Sequence, residues 1–272
     1  MFNTIGIITK PNDKNSKDTA QELILFIEEQ GVGVVTEKEQ IAEQSDLIVV
    51  VGGDGSLLNT ARTFVDNNIP ILGINLGRLG FLADVPVSSM FDIVAKVLNG
   101  EFTKEERCLL SCQIEKDNKI LNSSLALNDV VVHRKEILRM IEFEVFIDDK
   151  FVNTQRADGL IVTTPTGSTA YALSSGGPIM HPGVNAIGIV SISPHTMSHR
   201  PLLVPGESEV IIRVKEAEGG VTVSFDGQTS FSIEPDQDIR VQQHANFVHL
   251  LHPKNYDYFE IIRSKLHWSK EL

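Results

Sequence analysis

The stretch "VVVGGDGSLLNTA" runs from Val49 to Ala61. An apolar run stops at Gly52-Gly53-Asp54-Gly55, and Leu57, Leu58, Ala61, Phe64 and Val65 then follow at helical spacing. The residues before it, "DLIVVV" (Asp46–Val51), are apolar on both faces, as a central parallel strand requires. Strand, glycine turn and helix in that order form the first part of a β-α-β unit, and the neighbouring segments repeat it. "TIGIIT" (Thr4–Thr9) reads as a buried strand. Ala20, Leu23, Ile24 and Ile27 give a helix that Gly31 is placed to close. "VGVV" is a short second strand, "IPILGIN" (Ile69–Asn75) a further one, and Met90, Ile93, Val94, Val97 and Leu98 another helix. The alternation predicts an α/β domain over residues 1–105, built on an open, mainly parallel sheet with helices on both faces.

After "NGEFTKEER" the period changes from helical to alternating. "MIEFEVFID" (Met140–Asp148), "EVIIRVKE", "VTVSFDG" and "IRVQQHANFVHLL" alternate apolar and polar residues, with Asp-Gly and Gly-Gly turns between them. A second, β-rich and β-sandwich-like domain is expected over residues 106–250. One segment interrupts it: "TPTGSTAYALSSGGPIMHPG" (Thr164–Gly183) is rich in Gly, Ser, Thr and Pro and has room for a short helix. The last residues, 251–272, are expected to pack back on the first domain.

Composition narrows the function. The 272 residues carry a net charge of −12 and show no Lys/Arg block, which argues against nucleic acid and anionic membrane as partners. No apolar run approaches the ~18 residues of a bilayer span, and the N-terminus does not read as a secretory signal. A cytoplasmic location is expected. Cys108 and Cys112 match neither a redox pair nor half a zinc site. In "RCLLSCQIE" they fall on one face of a single strand, as reduced core residues.

The glycine loop sits where an open α/β sheet binds ligands, outside the carboxyl end of a strand, and it opens a helix. Helix N-termini expose unpaired N–H groups that suit phosphate. Yet neither GxxxxGK[ST] nor GxGxxG is satisfied, and no lysine supplies charge within the loop. A carboxylate stands there instead. Asp54 makes sense as a base that takes a proton from an attacking hydroxyl, or as a holder of Mg²⁺. The alternative is a structural role, in which Asp54 or Ser56 caps the following helix.

Five separated segments resemble the NAD kinase family. "GGDGSLLNTAR" resembles its GGDG motif, "GINLGRLGFL" (Gly73–Leu82) its N-x-G-x-x-G-F-L segment and "LNDVVVHR" (Leu127–Arg134) its Asn-Glu box. "ADGLIVTTPTGSTAYALSSGGPI" (Ala157–Ile179) resembles its long Gly/Thr signature and "FDGQ" (Phe225–Gln228) a later segment. The box reads Asn128-Asp129 here, so its carboxylate is one methylene shorter than in the usual Asn-Glu. The resemblance implies transfer of the terminal phosphoryl of ATP, or of polyphosphate, to the 2′-hydroxyl of the adenosine ribose of NAD. It implies Asp54 as proton acceptor and Gly52, Gly53 and Gly55 as the donor-phosphate loop. For NAD it implies Asp54, Gly55, Asn128, Asp129, Arg139, Arg156, Asp158, Thr166, Thr169, Ala170, Tyr171, Ala172, Leu173, Ser174 and Gln228. Arg78 is a candidate for donor phosphate or for holding its own loop. A divalent metal, Mg²⁺, is expected with the donor phosphates. The partners implied are small-molecule nucleotides, and a homodimer or homotetramer is expected because exposed strand edges need cover.

Overall fold

The computed structural model describes residues 2–77, 80–135, 140–196, 198–216, 219–234 and 236–268. The chain divides into two units, one of Met1–Glu106 with Val248–Leu272, the other of Arg107–Phe247.

In chain order the first unit holds β1 (Thr4–Thr9), α1 (Lys14–Glu29), β2 (Gly33–Val35), α2 (Lys38–Gln44), β3 (Leu47–Gly52) and α3 (Asp54–Phe64). β4 (Ile71–Asn75), β5 (Val85–Pro86), α4 (Met90–Leu98) and β6 (Phe102–Arg107) follow. All six residues of β3 are buried, which explains its lack of alternation. The order across the sheet is β2-β1-β3-β4, with parallel pairing throughout that run. From β1 the chain runs outward to β2, and from β3 it runs the other way to β4. The carboxyl ends of β1 and β3 therefore flank a topological switch point, where open α/β sheets take their ligands. Ser16 fastens this end. Its hydroxyl donates to the Val51 carbonyl at 2.6 Å and accepts from the Lys10 N–H at 2.9 Å, while Asp13 caps α1 by accepting from the Ser16 N–H. α2 was not legible as a helix in the sequence. Ile41 is its one buried residue, and α2 lies so close to β1 that a Cβ at Gly6 would stand 2.8 Å from the Ile41 side chain.

The second unit contains β7 (Leu110–Lys116), β8 (Lys119–Ala126), β9 (Asp129–Arg134), β10 (Ile141–Ile147), β11 (Lys150–Ala157) and β12 (Gly159–Thr163). It continues with α5 (Tyr171–Ser174), β13 (Ala186–Ile192), β14 (Leu202–Pro205), β15 (Val210–Glu216), β16 (Val221–Phe225), β17 (Thr229–Ile233) and β18 (Asp238–Gln243). Two six-stranded sheets form, β11-β10-β15-β18-β7-β8 and β14-β13-β12-β9-β16-β17, antiparallel within each. The inward residues of both, Phe143, Val145 and Ile212 from one and Val132, Leu160 and Phe225 from the other, make one core. That is a β-sandwich. The outer face of the second sheet is covered in part by α5, through Val131, Ile161, Ala172 and Val190.

Cys112 is buried in β7, but Cys108 lies in the link between β6 and β7 and is only half-buried. The two do not share one strand face, because the chain leaves the first sheet between them. Both thiols are free, and burial pushes them up, Cys108 to about 11 and Cys112 to about 12.

The chain ends by returning to the first sheet. β19 (Val248–Pro253) pairs parallel with β4 through Leu250↔Ile71 and Leu251↔Leu72, and α6 (Tyr258–Leu266) follows. Among the described helices none is long and apolar enough to cross a membrane. β19 brings in His252, wholly buried between two carboxylates. Its Nδ1 stands 2.9 Å from Asp84 Oδ2, its Nε2 3.2 Å from Glu105 Oε2, and the Tyr256 ring stacks on it at 3.9 Å. Burial alone would lower the His252 pKa, but the hydrogen bond to Asp84 and the nearby Glu105 carboxylate outweigh it and the pKa is raised. A raised folded value means the imidazolium stabilises the fold fully below the ordinary ~6.5 and ceases to do so as pH climbs through the folded value. The thermal midpoint is therefore expected to fall with rising pH above neutrality, and His252→Gln to flatten that slope in a pH series of melting curves. An unchanged slope in the variant would count against this assignment.

Candidate active site

β3 ends at Gly52, and α3 begins at Asp54 with Gly53 extended at its N-cap. Gly52 has no room for a side chain, since a Cβ there would lie 2.6 Å from Ser56 Oγ, whereas a Cβ at Gly53 would meet nothing within 4 Å. No side chain caps α3. The capping role open to Asp54 is therefore not the one it plays. Its carboxylate crosses instead to the segment after β4. Oδ2 accepts from the Phe81 N–H at 2.9 Å, and Oδ1 from those of Leu82 and Ala83 at 3.2 and 3.0 Å. Gly80 makes this approach possible: a Cβ there would sit 1.9 Å from Asp54 Oδ1. Asn75, at the end of β4, fixes the same segment by donating from Nδ2 to the Ala83 carbonyl at 2.9 Å and accepting the Gly77 N–H at 2.8 Å.

Gly52, Gly53 and Asp54 line an open cleft with Asn75, Gly77 and Gly80. Two lysines line it as well, Lys10 just past β1 and Lys265 in α6. The loop itself carries no lysine, but the fold delivers two from distant sequence. Lys10 pairs with Asp13 at 3.3 Å, and the Lys265 ammonium lies 5.7 Å from the centre of the Phe81 ring. Gly55 is exposed on the first turn of α3 and is not part of the cleft lining.

The second unit has a cavity of its own, on the outer face of the sheet that holds β9 and β12. Asn128, Asp129, Asp158, Ala170 and Tyr171 converge there. Their turn is organised by Asp226, which the sequence reading passed over inside "FDGQ". The Asp226 carboxylate accepts the backbone N–H groups of Leu127, Asn128 and Asp129 at 3.1, 2.7 and 3.2 Å. Burial pushes the Asp129 carboxyl up to about 7, and the neighbouring Asp226 charge adds to the rise. Within the same lining Arg134 pairs with Asp158 at 3.1 Å. His133 and Ile192 are also part of its lining.

Other expected residues have different surroundings. Thr166 is buried and accepts from Arg107 at 3.2 Å, while the Thr169 hydroxyl donates to the Thr166 carbonyl. Ala172 is buried under α5, and Leu173 and Ser174 continue that helix away from the cavity lining. Arg156 is exposed on β11 and 3.9 Å from Glu142. Gln228 is exposed in the turn after β16, where its neighbour Gly227 lines the cavity. Arg78 and Arg139 lie outside the described residues. The signature's threonines and glycine serve the turn: Thr164 bonds the Leu127 carbonyl at 2.6 Å, and a Cβ at Gly167 would stand 2.1 Å from the Asn128 carbonyl oxygen.

Known proteins are similar to this chain over nearly its whole length. The ATP-NAD kinase N-terminal domain family matches residues 37–102 and the ATP-NAD kinase C-terminal domain family residues 127–252. The NAD kinase of Hydrogenovibrio crunogenus is 46% identical over 100% of both chains. That of Teredinibacter turnerae is 42% identical over 98% of this chain and 97% of its own. Yeast NADH kinase, solved with NADH, superposes with a TM-score of 0.91 at 26% identity, over 99% of this chain and 89% of that one. The Archaeoglobus fulgidus NAD kinase, solved with ATP, gives a TM-score of 0.80 at 25% identity over 97% and 98%. The chain belongs to the NAD kinase family.

Proposed function

We propose that this chain transfers the terminal phosphoryl group of ATP, or of inorganic polyphosphate, to the 2′-hydroxyl of the adenosine ribose of NAD, giving NADP. The observation that carries this reading is the Asp54 carboxylate, held by three backbone N–H groups at the mouth of a glycine loop in a chain of this family. A carboxylate has about four lone-pair positions. Three are engaged, which leaves one to accept the hydrogen bond of a single hydroxyl. As that hydroxyl oxygen forms its bond to the terminal phosphorus, the bond from phosphorus to the bridging oxygen breaks. The nucleoside diphosphate leaves, and the proton passes to Asp54.

Developing charge on the transferred group needs fixed positive charge. Lys10 and Lys265 supply it from the protein, together with the N–H groups at the start of α3. Among the described residues no three His, Cys, Asp or Glu side chains cluster to hold a metal ion. Mg²⁺ would accompany the donor phosphates at the cleft of Gly52, Gly53 and Asp54 and would supply further positive charge to the transferred group. NAD is assigned to the cavity of the second unit. There Asn128 and Asp129 offer an amide and a carboxylate to the adenosine, and the exposed Tyr171 ring offers a face to a base. Homodimer or homotetramer formation belongs to the same reading. Three sheet edges carry exposed apolar pairs, Ile120 and Leu121 on β8, Phe151 and Val152 on β11, and Leu202 and Leu203 on β14. Analytical ultracentrifugation is expected to return two or four subunits, and a monomer would remove that part.

Asp54→Asn is expected to lower kcat by about 10²–10⁴-fold while NAD binding stays measurable by calorimetry. Turnover within a few-fold of the parent would overturn the base assignment. Asp129 serves ribose hydroxyls best as the ionised acceptor. Its raised value predicts that kcat/KM for NAD increases as pH passes about 7. Asp129→Asn is expected to remove that limb and to cost about tenfold or more above it. A limb that persists in the variant would assign the titration to another group.

A further inference from the structure

Asp84 joins the anchor of Asp54 to a buried histidine. The residue before it, Ala83, gives its N–H to Asp54 Oδ1 at 3.0 Å, and its carbonyl accepts from Asn75 Nδ2 at 2.9 Å and from the Gly80 N–H at 3.1 Å. The residue after it, Val85, opens β5 and pairs with Ile74 of β4. The Asp84 carboxylate itself turns to β19 and meets His252 Nδ1 at 2.9 Å. Its other oxygen, Oδ1, is buried and accepts no hydrogen bond, so the imidazole is what holds this side chain.

The groups around His252 come from every neighbouring element. Asp84, whose side chain is 6% exposed, precedes β5. Glu105 lies on β6, the strand beside β19, with Oε2 3.2 Å from Nε2 but not aligned as a hydrogen bond. The Tyr256 ring stacks on the imidazole, and β4, on the other side of β19, carries no titratable residue. Lys104 and Glu106, which flank Glu105 on β6, act on His249 instead, Glu106 from 3.7 Å. Among the described residues no lysine or arginine pairs with Asp84. An imidazolium faces both carboxylates with an N–H, whereas a neutral ring has one N–H to give. Once the proton leaves, two carboxylates remain around an uncharged ring where water does not reach, and a buried charge without its partner is strongly unfavourable.

We propose that His252 is a positioning residue for phosphoryl transfer: its charged ring holds Asp84, Asp84 holds the Phe81–Ala83 backbone, and that backbone aims the Asp54 carboxylate at the acceptor hydroxyl. The proposal rests on the reading of Asp54 as the base. His252 touches no reacting group and acts only through this chain of contacts. Loss of its proton releases Asp84, the three N–H groups turn, and the one lone pair of Asp54 left for the hydroxyl loses its direction. A misplacement of about 1 Å can cost about 10²-fold in rate. The cavity assigned to NAD shares none of these residues, so the effect falls on kcat and not on KM for NAD. The imidazolium is the active state, and kcat is expected to fall as pH climbs through the raised His252 value.

The test follows kcat for NADP formation across neutral and alkaline pH, with NAD and MgATP saturating. The parent is expected to lose turnover on the alkaline side. His252→Gln is expected to lower kcat about tenfold at neutral pH, to keep KM for NAD within about twofold, and to lose the alkaline limb. Glu105→Gln keeps the bond between Asp84 and His252 but removes one of the two charges that favour the imidazolium, so its limb is expected at lower pH. It decides the matter where His252→Gln does not fold. In the same samples the amide NMR signals of Phe81, Leu82 and Ala83 are expected to titrate together with the His252 ring in the parent and to stay fixed in His252→Gln. An alkaline limb that neither variant moves overturns the proposal, and so does a titration of the ring that those amides do not follow. If no NADP forms while the amides follow the ring, the NAD kinase reading falls and the hold of His252 on the Asp54 anchor stands.

Discussion

The first unit depends on one contact: a carboxylate that takes three consecutive backbone N–H groups, those of Phe81, Leu82 and Ala83. Short acceptor bonds to a charged oxygen are stronger than neutral ones, and a run of backbone N–H groups makes a natural anion seat. Here the anion in the seat is a side chain, Asp54. The contact ties the start of α3 to the segment after β4. That segment is tied in turn to β4 by Asn75 and, through Asp84, to the buried His252 of β19. Glycine at 80 is a condition of the whole arrangement, because any side chain there would collide with the carboxylate.

The second unit repeats the device. Asp226 takes the N–H groups of Leu127, Asn128 and Asp129, in the same three-in-a-row pattern. In each unit an aspartate thus takes three backbone N–H groups in a row: Asp54 anchors its own glycine turn to the segment after β4, and Asp226 holds the turn of Asn128 and Asp129. There is an electrostatic consequence. Asp226 sits fixed as a charge beside Asp129, so the burial that already disfavours the Asp129 carboxylate is reinforced by a like charge. A group that would be a plain acceptor at neutral pH becomes a titrating one.

Much of the fold could be read from the sequence, for a physical reason. β3 and β4 are buried on both faces and β10 on one, so their apolar patterns are respectively continuous and alternating. α2 was not legible, since seven residues with one buried position carry too little periodicity. The alternation of "FVHLL" shows a strand but not its sheet; only the register with Ile71 and Leu72 does that. In the site, Asn128, Asp129, Asp158, Ala170 and Tyr171 came from motifs and do converge. Thr166 and Ala172 came from the same motif and are buried structural residues, because a motif mixes what touches ligand with what shapes the turn. Asp226, Lys10 and Lys265 have no local signal at all. Their roles arise from contacts across long stretches of chain.

The lysines resolve a difficulty that the glycine loop poses. A loop built to approach phosphate, with a carboxylate at its centre and a net charge of −12 around it, should repel its ligand. Doubly wound topology answers this without any change to the loop. The switch point gathers the carboxyl ends of β1 and β3, so the residue that follows β1 stands beside the turn that follows β3. A cation placed there, Lys10, needs no proximity in sequence. The return of the chain through β19 and α6 adds a second, Lys265, above the Phe81 ring whose own N–H holds Asp54. Positive charge thus comes from the scaffold, which leaves the loop's single side chain free of that duty and available to a hydroxyl proton.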